Sequence, residues 1–153
     1  MNVNDFLTRA CIPIRLACIT TADWPIIISL WYAYMEERFF CATQKNAKIL
    51  KYLSNNSKCG FEVAGDLPPY RGVRGWGRAK LNETRGPEIL HILIKKYLED
   101  EKSQLAKFLL RRAENEIAIE IKPLSVFDYD YSNRMNGIKV KTDKNNVARS
   151  YLF

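Results

Sequence analysis

Residues 25–53, PIIISLWYAYMEERFFCATQKNAKILKYL, limit what this chain can fold into more than any other stretch. The first part, 26–34, is a β-branched and aromatic run opened by a proline, which predicts a strand buried on much of both faces. Met35, Glu36 and Glu37 make a tight polar connection, and 38–42 predicts a second short strand, so the pair reads as an antiparallel hairpin. The character then changes. Thr43-Gln44-Lys45-Asn46 offers side chains that cap helices, and Ile49, Leu50 and Leu53 follow at helical spacing. A strand thus leads through a Thr/Asn turn into a helix whose start carries Lys45 and Lys48. Free N–H groups, the positive end of the helix dipole and two ammonium groups converge there, which is the chemistry that holds a phosphate. Lysines that merely solvate a helix start give the same pattern.

Length and composition bound the rest. A chain of 153 residues, 47% hydrophobic and 27% charged, is expected to form one globular domain with one core. No apolar run is long enough to span a membrane and the start lacks the layout of a secretory signal, so a cytoplasmic location is expected. Cys11, Cys18, Cys41 and Cys59 lie in apolar contexts without a C-x-x-C pair, and read as small core residues rather than disulfide or zinc partners. His91 is the only histidine, which excludes a metal site built on histidines, and its helical context reads as surface or packing.

The net charge of +7 invites a nucleic-acid reading. The cations fall in three groups: Lys45, Lys48 and Lys51; Arg71, Arg74, Arg78 and Lys80; and a tail with Arg134, Lys139, Lys141, Lys144 and Arg149. No nucleic-acid-binding signature accompanies them, and a small anionic cofactor plus a solvated tail accounts for the charge equally well.

In chain order, 1–9 reads as a short helix or arm capped by Asn4 or Asp5, and 15–21 as a strand. Ser54-Asn55-Asn56-Ser57 ends the helix after Thr43, 58–64 is a strand, and 65–70 is a proline-stiffened loop. Residues 71–81, RGVRGWGRAKL, alternate as a strand, with Val73, Gly75, Gly77, Ala79 and Leu81 on one face and Arg74, Trp76, Arg78 and Lys80 on the other. Glycines inside a strand mark a bulge, or the close approach of another backbone or a flat ligand. Residues 83–115 are helical, with Pro87 in the first turn and an interruption at Glu99-Asp100-Glu101. Ile117, Ile119 and Ile121 share one face of a strand, and 123–131 continues it after a break, with Asp128 and Asp130 on the solvated side. From 133 the chain is polar and basic until Tyr151-Leu152-Phe153, which could dock on a neighbour. This order predicts a mainly β protein with inserted helices, a closed or split antiparallel barrel.

Taken in order, RLACITTADWPIIISLWYAY, RFFCATQKNAKILKYLSNN, PPYRGVRGWGRAKL and AIEIKPLSVFDYDYS resemble the pyridoxamine 5′-phosphate oxidase-like FMN-binding split barrels. The resemblance covers roughly residues 9–132 and lies in the order and spacing of these stretches. It implies a six-stranded antiparallel split β-barrel over residues 1–132, followed by the basic tail 133–153. It also implies a homodimer with FMN in a groove between subunits. The resemblance puts the FMN phosphate at Thr43, Asn46 and Lys48, the turn that chemistry alone selects. It puts Ser29, Leu30 and Trp31 along the flavin ring, and Arg74 and Trp76 near the ring or the dimer partner.

Two departures matter. The family's oxidases usually carry Ser-Arg-Lys at the helix start, where this chain has Asn46-Ala47-Lys48, so one phosphate-binding arginine is missing. The Arg-Leu-Ala-Pro ending of the true oxidase is also lacking, so oxidation of pyridoxamine phosphate is not expected. The deazaflavin F420 is the alternative cofactor on the same barrel. The expectation is an FMN-dependent oxidoreductase whose substrate no residue reveals. The alternatives are a flavin or F420 module without turnover, a basic nucleic-acid-binding protein and, more distantly, a haem binder.

Overall fold

The computed structural model describes residues 1–138. Most of the basic tail, including Tyr151-Leu152-Phe153, lies outside the described residues. The strands are β1 Ile14–Ile19, β2 Pro25–Leu30, β3 Ala33–Met35, β4 Arg38–Gln44, β5 Lys58–Ala64, β6 Arg71–Asn82 and β7 Glu116–Asp130. The helices are α1 Val3–Arg9, α2 Lys48–Asn55, α3 Gly86–Tyr97 and α4 Gln104–Leu110. The strands form one antiparallel sheet in the order β2-β1-β5-β6-β7-β4-β3.

The two ends of that order, β2 and β3, are neighbours in sequence, separated only by Trp31 and Tyr32. A single segment therefore pairs with β1 over its first half and with β4 over its second, and so closes the sheet into a barrel. The barrel is split where β2 leaves β4. This corrects the expectation of six strands: the run 26–34 is broken, and seven strands joined by six ladders result. Tyr97 at the end of α3 occupies the break. Its hydroxyl donates to the Ile12 carbonyl at 2.9 Å and accepts the Tyr32 N–H at 3.3 Å, and so replaces a ladder partner at the break.

The same run is not buried on both faces as expected. β2 is an edge strand, Ile27 is 69% exposed and Trp24 before it 73%, while Ile28 and Leu30 pack against the core. Apolarity marked a strand, but among the described residues nothing covers its outer face.

Inside the barrel, Ile14, Leu16, Phe39, Cys41, Phe61, Val63, Val73, Ile119 and Ile121 form the main core, plugged by Phe6 and Leu7 of α1 and Ile49, Leu50 and Leu53 of α2. α1 is capped by Asn2 rather than Asn4 or Asp5, its side chain accepting the Asp5 N–H at 3.1 Å. Cys18, Cys41 and Cys59 are buried free thiols, as the composition implied, and Cys11 is exposed. On the outside, α3 lays Ile89 and Leu93 over Ala33, Phe40 and Ala118. That cover explains why β7 is buried on both faces there, down to Glu120, whose carboxylate meets Arg38 at 3.5 Å and Arg85 at 3.7 Å.

The glycines of β6 are explained by the approach of another backbone. A Cβ on Gly75 would sit 2.0 Å from the Ser125 carbonyl oxygen, and one on Gly77 2.2 Å from that of Lys122. The register shifts between Trp76 and Gly77, opposite Pro123, which has no N–H to give to a ladder. The break expected near Pro123 is thus a bulge within one continuous β7. At the hairpin tip, Glu36 and Glu37 both have positive φ, 52° and 57°, the two-residue turn that matches strand twist. Among the described residues, no helix is long and apolar enough to cross a membrane.

Candidate functional site

The split is the feature to build on. β3 pairs with β4 in the register Ala33↔Phe40, Tyr34↔Phe39 and Met35↔Arg38. Continued past the break, that register would set Trp31 opposite Ala42, Leu30 opposite Thr43 and Ser29 opposite Gln44. Instead β2 turns to pair with β1, with Ser29 against Arg15 and Leu30 against Ile14. Among the described residues, the far edge of β2 and the β4 edge beyond Phe40 are left without ladder partners, as two lips of a seam. Ser29, Leu30 and Trp31 form one lip. Thr43 lies on the other, and Asn46 and Lys48 follow it.

The helix start departs from its expected form. Thr43 and Gln44 are drawn into β4 because they pair with Ile117 and Glu116 of β7, so the helix begins at Lys48 with Ala47 as its N-cap. No side chain caps it and no acidic residue lies in its first turn. Among the described residues, no acceptor takes the Lys48 or Ile49 N–H, and the side chains of Thr43, Asn46 and Lys48 make no hydrogen bond or ion pair. Such a start presents unsatisfied donors and positive charge, which suits a phosphate. Gln44 is occupied, its amide donating to the buried Glu116 carboxylate. Burial pushes that carboxyl up and the bond from Gln44 offsets part of the rise.

Trp31 is held from the other side. Its ring lies parallel to Tyr97, with centroids 5.0 Å apart and planes 3° from coplanar. Tyr97 is the last residue of α3, and no sequence pattern marks its hydroxyl as the group that reaches the strand.

Arg74 and Trp76 are not part of this seam within one protomer. They lie on the outer face of β6, with β1 and β5 between them and β2. The Arg74 guanidinium sits 5.0 Å above the Tyr129 ring, and Trp76 lies 5.3 Å from Phe127. Tyr129 in turn donates to Glu62 at 2.8 Å, and Arg15 joins Glu62 and Asp66 in ion pairs.

Beneath the break lies a group that the sequence did not flag. The Lys96 ammonium nitrogen is buried, finds no hydrogen-bond acceptor among the described residues, and stands 4.1 Å from the Tyr32 ring centroid and 5.5 Å from that of Tyr97. Burial lowers its pKa from 10.5 to about 8, partly opposed by Cys11 and Cys41. The unfolded chain therefore holds this proton more tightly, so burial of Lys96 destabilises the fold fully below about pH 8. The penalty fades as pH rises to the unfolded value. Lys96→Met is expected to stabilise the protein at pH 7 by about 1–2 kcal/mol, after allowance for solvent screening and the aromatic contacts. The gain should vanish by about pH 10.5, as read from thermal melts of both proteins. A gain that does not depend on pH would show that lost charge is not its cause.

No family model matches the chain, and no curated protein matches it. Solved structures do. An F420 reductase superposes with a TM-score of 0.69 at 15% identity, over 83% of this chain and 97% of its own. A FAD-binding protein from Mesorhizobium loti matches with a TM-score of 0.62 at 18% identity, over 84% of this chain and 91% of its own. A Listeria innocua protein assigned as a pyridoxamine 5′-phosphate oxidase matches with a TM-score of 0.58 at 15% identity, over 76% and 86%. At such identities the likeness is one of fold. The fold is the split barrel of pyridoxamine 5′-phosphate oxidase-like proteins.

Proposed function

We propose that this chain binds FMN in the seam and works as a flavin-dependent oxidoreductase. One observation carries the reading: the lips of the seam end at a helix start that, among the described residues, has no side-chain cap, no acid in its first turn and no partner for the Lys48 side chain. Those residues fit a phosphate. The Thr43 hydroxyl, the Asn46 amide, the Lys48 ammonium and the first N–H groups of α2 would hold it. Ser29 and Leu30 offer the unpaired strand edge along which a flat ring can lie, and Trp31, stacked on Tyr97, forms a firm end wall. A bound flavin supplies the hydride chemistry; the protein positions it and keeps water away. The fold likeness to an F420 reductase and a FAD-binding protein supports a redox cofactor of this kind. It also favours a second reading, F420 in the same seam, and the Ala47 that stands in place of an arginine is compatible with it.

A homodimer belongs to this reading. Trp24, Ile27 and Phe127 leave apolar surface on a face of the sheet that no described residue covers, and a second copy is its proposed cover. The interface is expected to bury more than about 1,000 Å² in total. Light scattering that finds a monomer at micromolar concentration would remove it.

The direct test is cofactor release from the purified protein, followed by titration. Lys48→Ala is expected to weaken FMN about tenfold, the effect of one charge-assisted hydrogen bond, and riboflavin much less. Equal losses for the two would show that Lys48 does not touch the phosphate. A released cofactor with F420 absorption would select the second reading.

A further inference from the structure

A second site lies on the outer face of the sheet, away from the seam. β5 and β6 pair in a register that sets Lys58 directly opposite Arg78, and β6 and β7 set Arg78 opposite Lys122. Three cations thus stand side by side on three adjacent strands, all on the outer face. None of them ion-pairs with a carboxylate among the described residues. Like charges directly opposite one another destabilise a sheet. The fold keeps them, so their use is to be sought in a ligand.

The surface beside this row is concave. A cavity of about 560 Å³ is lined by Lys58, Arg78 and Asn56, with Ile19, Trp76 and Leu124 among its apolar walls. The local backbone builds it. Ala17 and Gly60, opposite each other, leave a floor without bulk. The bulge at Trp76/Gly77 displaces the pairing so that Leu124 stands out of the β7 ladder beside the Trp76 indole. Both are open to solvent, Trp76 at 54% exposure. Among the described residues the charged lining is basic only. Arg78 is steadied by a bond from its guanidinium to the Ser57 hydroxyl at 3.2 Å, and Asn56 spends its carbonyl on the Lys58 N–H at 3.1 Å, which leaves its NH₂ free to donate. The volume suits a small molecule.

We infer that this cavity binds a small planar aromatic carboxylate, the ring against Trp76 and Leu124 and the carboxylate between Lys58 and Arg78. The site does not depend on the flavin reading. Its β2 wall is Pro25, four residues or about 13 Å along the strand from Ser29.

The probes are 2-naphthoate and its neutral counterpart 2-naphthalenemethanol, titrated into the full-length protein by calorimetry with and without FMN. Naphthoate is expected to bind at least tenfold tighter than the alcohol, equally with and without FMN. The double variant Lys58→Gln/Arg78→Gln should lose that tenfold and leave the alcohol unaffected. Its ligand-free Tm should rise by about 1–3 °C, because the like-charge repulsion is gone. The single variant Lys58→Gln should show part of both effects. Naphthoate that fails to bind, binds no better than the alcohol, binds the double variant as well as the parent, or is displaced by FMN overturns the inference. A fall in the ligand-free Tm would equally show that the cation row is already satisfied.

Discussion

Gly86→Ala is expected to cost the protein more than about 3 kcal/mol, the range of overpacking against parts that cannot move. Gly86 opens α3 where the helix touches the start of β7. A Cβ there would fall 1.8 Å from the Glu116 carbonyl oxygen, 2.2 Å from its carbon and 2.8 Å from the Ile117 nitrogen. All three are backbone atoms of a strand anchored by its ladder, with Gln44 against Glu116 and Thr43 against Ile117. α3 must therefore lift. It carries Ile89 and Leu93, which cover the outer face of β3, β4 and β7, and Leu90 and Ile94, which pack with Ala106 of α4. Denaturant unfolding measures the loss, and a change below 1 kcal/mol would mean that α3 can shift without leaving its seat.

Tyr97→Leu is expected to cost about 3 kcal/mol and to damage the seam as well. The hydroxyl holds the Ile12 carbonyl at 2.9 Å and the Tyr32 N–H at 3.3 Å, and leaving such groups unsatisfied costs about 1–3 kcal/mol. Loss of the parallel stack on Trp31 adds about 1 kcal/mol. Tyr97→Phe keeps the stack and should recover the smaller share. Under the proposed function, FMN affinity should fall more than tenfold in Tyr97→Leu and less in Tyr97→Phe, because Trp31 loses its backing only in the first. Fluorescence anisotropy of Trp31, with Trp24 and Trp76 replaced by Phe, reports that backing without cofactor. A Trp31 signal unchanged in Tyr97→Leu would show that the strand break, not the stack, holds the ring.

What was legible in the sequence was local. β5 over Lys58–Ala64, the alternation of β6, the shared face of Ile117, Ile119 and Ile121, and Pro87 in the first turn of α3 follow from spacing and residue type. The resemblance through four ordered stretches agrees with the split-barrel fold of the structural neighbours. The polar turn that leads from β4 into α2 was visible too, since strand, turn, lysines and helix are contiguous.

The tertiary structure decided everything that depends on what a residue meets across a ladder. An apolar run announces a strand but not what covers it, so β2 came out as an open edge rather than a buried centre. Thr43 and Gln44 have good capping chemistry, yet two ladder positions on β7 outbid it and moved the helix start to Lys48. The break is filled by a tyrosine that lies 65 residues from the Tyr32 N–H it takes up. The stranded ammonium of Lys96 and the row Lys58–Arg78–Lys122 are invisible to any pattern of spacing. Periodicity reports only how a segment divides its own faces; which charges and rings end up side by side is set by register between distant segments.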